Sequence, residues 1–146
     1  MESASQILKT IHTYFPAFSF HRETQKIALP NPKNEIQIYD LITATKYKMF
    51  AGHKCSISIL EFDKKGKYLA SYSSFENELY IWKIGNLSIV DSFTNIFGFK
   101  ETFYKKFFLP PQSNAERISL KWSADDKKIE VFSGNVCFWT QVMEIF

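Results

Sequence analysis

The chain has 146 residues, the length of one ordinary domain, and its 45% hydrophobic and 23% charged residues make a globular and not a disordered composition. The net charge of +3 comes without a long Lys/Arg block, which argues against nucleic acid or anionic membrane as a direct partner. No run reaches the about 18 apolar residues of a membrane span, the start lacks a signal peptide's basic and apolar blocks, and Cys55 and Cys137 form no C-x-x-C motif; a cytoplasmic protein is expected, peripheral on membranes only through its partners.

In chain order, residues 1–13 read as a short helix, with Ser3-x-x-Gln6 as a capping box and Ile7, Leu8, Ile11 and Phe15 near one face. Four strands follow, near Phe15–Phe20, Gln25–Leu29, Glu35–Leu41 and Thr45–Phe50. "SISILEF" (Ser56–Phe62) alternates as a half-buried strand should. "DKKGK" (Asp63–Lys67) is turn chemistry, with Gly66 free to take positive φ. "YLASYS" is a strand of mostly small residues suited to close packing, and "ELYIWKI" (Glu78–Ile84) alternates again. "LSIVDSF" (Leu87–Phe93) is expected as the outer fourth strand of this group. Thr94–Asn114 breaks the pattern: it is crowded with aromatics and ends at Pro110-Pro111, which bars regular structure there.

Three segments are self-similar. Phe20, Phe62 and Trp122 correspond, as do Ile27, Leu69 and Ile129, and then Tyr39, Trp82 and Trp139. The period is about 40–45 residues, that of WD-repeat β-propeller blades. The chain therefore divides into a helix (1–13), a first blade (14–51), a second blade (52–93), an aromatic insert (94–114) and a degenerate third blade (115–146). The expected fold is all-β: about three four-stranded antiparallel blades of a partial propeller. Such a stack leaves open faces, on which Ile57, Ile59, Leu79 and Ile81 are expected.

"AGHK" (Ala51–Lys54), "GKYLASYS" and "LYIWK" together resemble WD-repeat proteins. In that family a Gly-His pair precedes a blade and a Trp-Asp pair closes its third strand. Here Gly52-His53 precede the second blade and Trp82 closes it, while Tyr39-Asp40 end the first. The resemblance implies a buried hydrogen-bond chain that locks the blade, with His53, Ser71 and Trp82 in three of its four places. The fourth, an Asp in the family, is not matched; the loop there is one residue longer and offers only Glu76. From Tyr14 onward the order "YFPAFSFH", "QKIA", "IQIYDL", "GHK" and "GKYLASYS", then a Pro-Pro insert, is similar to the C-terminal blades of the rabconnectin-3 beta-subunit family. That resemblance implies a large non-enzymatic scaffold linked to vacuolar proton-pump (V-ATPase) assembly and vesicle traffic on endomembranes. Its partners would be pump subunits or a second large WD-repeat scaffold.

No catalytic motif, phosphate loop or metal-ligand spacing is present, so no cofactor and no metal are expected. Asp125-Asp126 sit in the counterpart of the "DKKGK" turn and read as a solvated turn, not an acid–base pair. The insert holds Phe97, Phe99, Phe103, Tyr104, Phe107 and Phe108 with Lys105 and Lys106. It either folds back to cover the second blade or offers a docking site to a partner protein.

Overall fold

The computed structural model describes residues 17–84, 105–112 and 117–143. The expected helix over 1–13 lies outside them, as do Leu87–Phe93 and the insert residues Phe97, Phe99, Phe103 and Tyr104. The described residues form three antiparallel sheets, each in simple sequence order. The first consists of β1 (Ser19–His21), β2 (Lys26–Pro30), β3 (Ile36–Asp40) and β4 (Thr45–Phe50). The second consists of β5 (Ile59–Phe62), β6 (Tyr68–Ser73), β7 (Glu78–Lys83) and β8 (Lys105–Phe108). The third has β9 (Ile118–Trp122), β10 (Lys128–Ser133) and β11 (Val136–Val142). The innermost strands meet, β1 against β5 and β5 against β9, so the sheets radiate like neighbouring propeller blades.

Period-2 patterning sets how the sheets stack. In β6 and β7 alternate residues face opposite neighbours, and both sets are apolar. Leu69, Tyr80 and Trp82 pack with Ile36, Ile38 and Phe50 of the first sheet. Ala70, Tyr72, Leu79 and Ile81 pack with Leu120, Trp122 and Ile129 of the third. The second sheet is thus the middle one. This corrects the expectation for Ile57, Ile59, Leu79 and Ile81: none faces an open side, because a sheet lies on each flank. Ile57 is in the first cluster, Leu79 and Ile81 are fully buried in the second, and Ile59 packs against the second's edge.

Two further expectations change. The fourth strand of the middle sheet comes from the insert: β8 pairs with β7 through Glu78↔Phe108 to Ile81↔Lys105. The second blade therefore does not end at residue 93. Also, Tyr39 and Trp82 share a register position, opposite Ile27 and Leu69, but Trp139 does not stand there. Ile129 faces Gln141, and Trp139 faces Val131. The third sheet turns at Gly134-Asn135, where the second turns over Ser74–Asn77, and a bulge lies beside Val131/Phe132. The shorter turn and the extra bulge residue shift the register. Trp139 instead packs on Phe107, ring centroids 5.3 Å apart.

Candidate functional site

Three places that the sequence singled out come into view, and a fourth that it missed. The first is the chain through the middle sheet. The Trp82 indole N–H donates to Ser71 Oγ at 2.8 Å, and Ser71 Oγ lies 2.7 Å from His53 Nε2. Since the hydroxyl accepts from the indole, it donates to Nε2, and the imidazole proton belongs on Nδ1. Nδ1 faces Glu76 Oε2 at 3.5 Å. Glu76 therefore reaches the place that the family gives to Asp, its extra methylene matched to the longer turn. Its other oxygen accepts the backbone N–H groups of Lys54 and Cys55. Burial pushes the His53 imidazole down to about 4. Burial and the neighbouring Glu78 hold Glu76 above the ordinary carboxylate range. His53 is thus a neutral, buried side chain bonded through Nε2 to Ser71.

The second place is the central turn of the middle sheet. Gly66 adopts φ +74°, and a Cβ there would lie 2.7 Å from the His21 ring. His21 Nε2 donates to Lys64 O at 2.8 Å, from the first sheet. From the third, Asp126 accepts the Lys64 and Lys65 N–H groups at 2.8 and 2.9 Å. The Asp125-Asp126 pair is therefore only half a solvated turn: Asp125 caps its own turn by accepting from Ser123 and Lys127, while Asp126 bridges to the next blade. The turn is clamped from both sides.

The third is what remains of the aromatic insert. Phe107 faces the third sheet and Phe108 is 70% exposed. Lys106 Nζ pairs with Glu78 at 3.2 Å and lies over the Tyr80 and Phe108 rings. Within β8, then, covering and exposure are divided between adjacent residues.

The place missed is the loop end of the first two sheets. Asn34 donates to Lys54 O, Glu76 binds the Lys54 and Cys55 N–H groups, and Leu109 N–H donates to Asn77 O. These bonds join the β2–β3, β4–β5 and β6–β7 connections and the end of β8 into one surface. Of the residues on these connections and the end of β8, Phe75 and Phe108 are 75% and 70% exposed, and Lys33, Lys54, Pro110 and Pro111 are exposed too. The carboxylates at this end are turned inward or paired: Glu35 accepts from Asn31, Glu76 holds Lys54 and Cys55, and Glu78 meets Lys106. Phe75 gave no signal in the sequence, because its exposure depends on a four-residue turn whose shape only the fold reveals.

Among the described residues no three His, Cys, Asp or Glu side chains group as metal ligands, and no helix is long and apolar enough to cross a membrane.

No protein-family model matches the chain. SIR4-interacting protein SIF2 of Saccharomyces cerevisiae is 29% identical over 119 residues, covering 81% of this chain and 19% of that protein. Transcription initiation factor TFIID subunit 5 of Caenorhabditis elegans is 28% identical over 71 residues, 49% of this chain and 11% of that protein. The crystal structure of the C-terminal WD40 domain of Sif2 superposes with a TM-score of 0.52 at 23% identity, over 87% of this chain and 34% of the domain. Kluyveromyces lactis Hsv2 gives a TM-score of 0.63 at 14% identity, over 80% of this chain and 37% of that one. The radiating antiparallel sheets are those of a partial WD40 β-propeller, and the relatives support the WD-repeat family. The chain spans only about a fifth and a tenth of the two curated relatives, and about a third of the two structures.

Proposed function

We propose that this chain is a non-enzymatic protein-interaction module, a scaffold element that meets its partner with the loop end of its first two sheets. The observation that carries the reading is the exposure of Phe75 and Phe108 beside Lys33 and Lys54 on loops tied together by hydrogen bonds. Aromatic anchors on a pre-organised surface with a charged rim are the composition of a protein interface. His53, the residue best suited to base chemistry, is buried and bonded to Ser71, which favours recognition over turnover. The names of the relatives, a SIR4-interacting protein and a TFIID subunit, fit a protein that works inside assemblies.

Two finer readings follow. The relatives favour an adaptor subunit of a protein complex, the class that also serves ubiquitin ligation and RNA processing. The order of motifs from Tyr14 to the Pro-Pro insert favours an organiser of proton-pump assembly at endomembranes. Affinity capture from native cells separates them: pump subunits are retained in one case, other complexes in the other. Phe75→Ser with Phe108→Ser should lower retention about tenfold or more while the melting temperature stays unchanged. Undiminished retention by that folded variant would refute the loop-end surface.

A further inference from the structure

Among the described residues three strands lie at the outer edges of the sheets: β4, β8 and β11. Exposed edges invite pairing with another chain, and lysine is the commonest guard against it. β4 reads TKYKMF and β8 reads KKFF, each with two lysines. β11 reads VCFWTQV, the longest strand of the three, and carries no charged residue. It also borders the sheet that has three strands where the other two have four. Val136 and Val142 are 67% and 62% exposed at its ends.

The outer face of this third sheet is more polar than its buried face. The inward residues Ile118, Leu120, Ile129 and Val131 are apolar, while those pointing away include Lys121, Lys128, Glu130 and Thr140 beside Phe132 and Val142, with Lys128 and Glu130 ion-paired at 3.6 Å. Among the described residues the edge stays open, and its main-chain groups specify an extended strand.

We infer that β11 is a self-association edge, pairing antiparallel with β11 of a second copy across a two-fold axis. The register follows from the main chain. Met143 N–H donates inward to Lys127 O at 2.6 Å, so alternation along the strand turns the N–H and C=O groups of Thr140 and Val142 outward. A two-fold axis through Gln141 sets Thr140 opposite Val142 of the second copy, and every outward group in this stretch finds a partner. The bulge at the Phe138 step confines pairing to the segment beyond it. Thr140 and Val142 are β-branched, the residues best suited to cross-strand contact. An isologous pair of this kind closes on itself and does not propagate into fibres. Because the edge is uncharged on both copies, no repulsion opposes the pairing.

Size exclusion with light scattering on the whole chain tests this. The mass should move from 17.1 kDa toward twice that value, with a midpoint of about 1–100 µM, as suits a short strand pair. Thr140→Lys with Val142→Lys sets like charges opposite each other and should hold the chain at single mass, with its far-UV circular dichroism unchanged. In a Cys55→Ser, Cys137→Ser background, Gln141→Cys should oxidise to a covalent dimer, because directly opposed residues on the axis lie within disulfide reach. A single mass up to about 500 µM, a folded double-lysine variant that still dimerises, or a dimer that fails to cross-link through position 141 would each overturn the inference. Loop-end variants at Phe75 and Phe108 should leave the dimer intact, so this edge and the partner surface fail or stand separately.

Discussion

At the scale of single residues, Trp82 joins two kinds of stabilisation. Its ring is fully buried, stacked between Phe50 and Tyr80 at centroid distances of 5.0 and 5.4 Å, and its N–H reaches Ser71. Trp82→Ala should cost about 3–5 kcal/mol in a urea melt, the range for deleting a large buried ring. Trp82→Phe keeps most of the packing and should cost about 1–2 kcal/mol, mainly for the lost hydrogen bond to a buried hydroxyl; equal costs for the two variants would show that the hydrogen bond dominates. His53 supplies a pH signature. Burial lowers its pKa from 6.5 to about 4, with Glu78 opposing and Lys106 assisting. The unfolded chain therefore binds the proton more readily between those values. The contribution of neutral His53 is complete above about pH 6.5 and is lost as pH falls toward 4, by about 3 kcal/mol at most. Glu76 faces the same ring, and its raised pKa contributes the opposite slope just above 4.5. His53→Gln removes only the first effect, so the variant's stability should depend less steeply on pH between 4 and 6.5. Parallel profiles for the two proteins would refute the assignment.

At the scale of elements, what the sequence showed depends on what each strand's environment demands. β5, β6 and β7 were legible because alternation or small residues mark strands packed on both faces. β8 was not. "LSIVDSF" is by pattern the better strand, while Lys105-Lys106-Phe107-Phe108 takes the place beside β7 because Lys106 can pair with Glu78 and Phe107 can reach Trp139. Those are tertiary gains that no local propensity records. The hydrogen-bond chain was legible in three members; Glu76 was visible as the one carboxylate of the longer turn, but that it comes within 3.5 Å of His53 was not, because a carboxylate's reach depends on turn shape. The turn between β5 and β6 was legible as a turn but not as a clamp. Its test contrasts two glycines. At Gly66 an added methyl meets a His21 ring that is hydrogen-bonded to Thr24 and Lys64 and cannot swing away. At Gly134 (φ +61°) the nearest atom, at 3.0 Å, is the far end of the exposed Arg117 side chain. Gly66→Ala should therefore cost about 2–3 kcal/mol in a thermal or urea melt, and Gly134→Ala about 1 kcal/mol from backbone conformation alone. Similar losses at both would mean that the clamp is slack.

At the scale of the whole molecule, the middle sheet belongs to both cores. Among the described residues each outer sheet packs an apolar face on the middle one: the first sets Ile36, Ile38 and Phe50 with Leu69, Tyr80 and Trp82, and the third sets Leu120 and Ile129 with Ala70, Tyr72 and Ile81. In stacked repeats, stability is a sum of unit and neighbour terms, and units that cannot stand alone are held by their interfaces. Here the clamped turn adds a polar tie on each side, from His21 and from Asp126. The three sheets should then unfold as one. The tryptophans allow the two interfaces to be read separately: Trp82 reports the first, Trp122 and Trp139 the second. Trp82→Phe leaves emission from the second interface alone, and Trp122→Phe with Trp139→Phe leaves emission from the first alone. Each substitution shifts stability, so the comparison is made within each protein, between its fluorescence and its far-UV circular dichroism. Coincident urea transitions in both proteins are expected, as for a two-state domain. If the coupling were weak, the third sheet would leave first, since it is a three-stranded sheet with Ile118 and Leu120 each 8% exposed where the middle sheet's Leu79 and Ile81 are fully buried. A Trp122/Trp139 signal lost at lower urea than the dichroism would therefore show that the middle sheet does not transmit stability between its two faces.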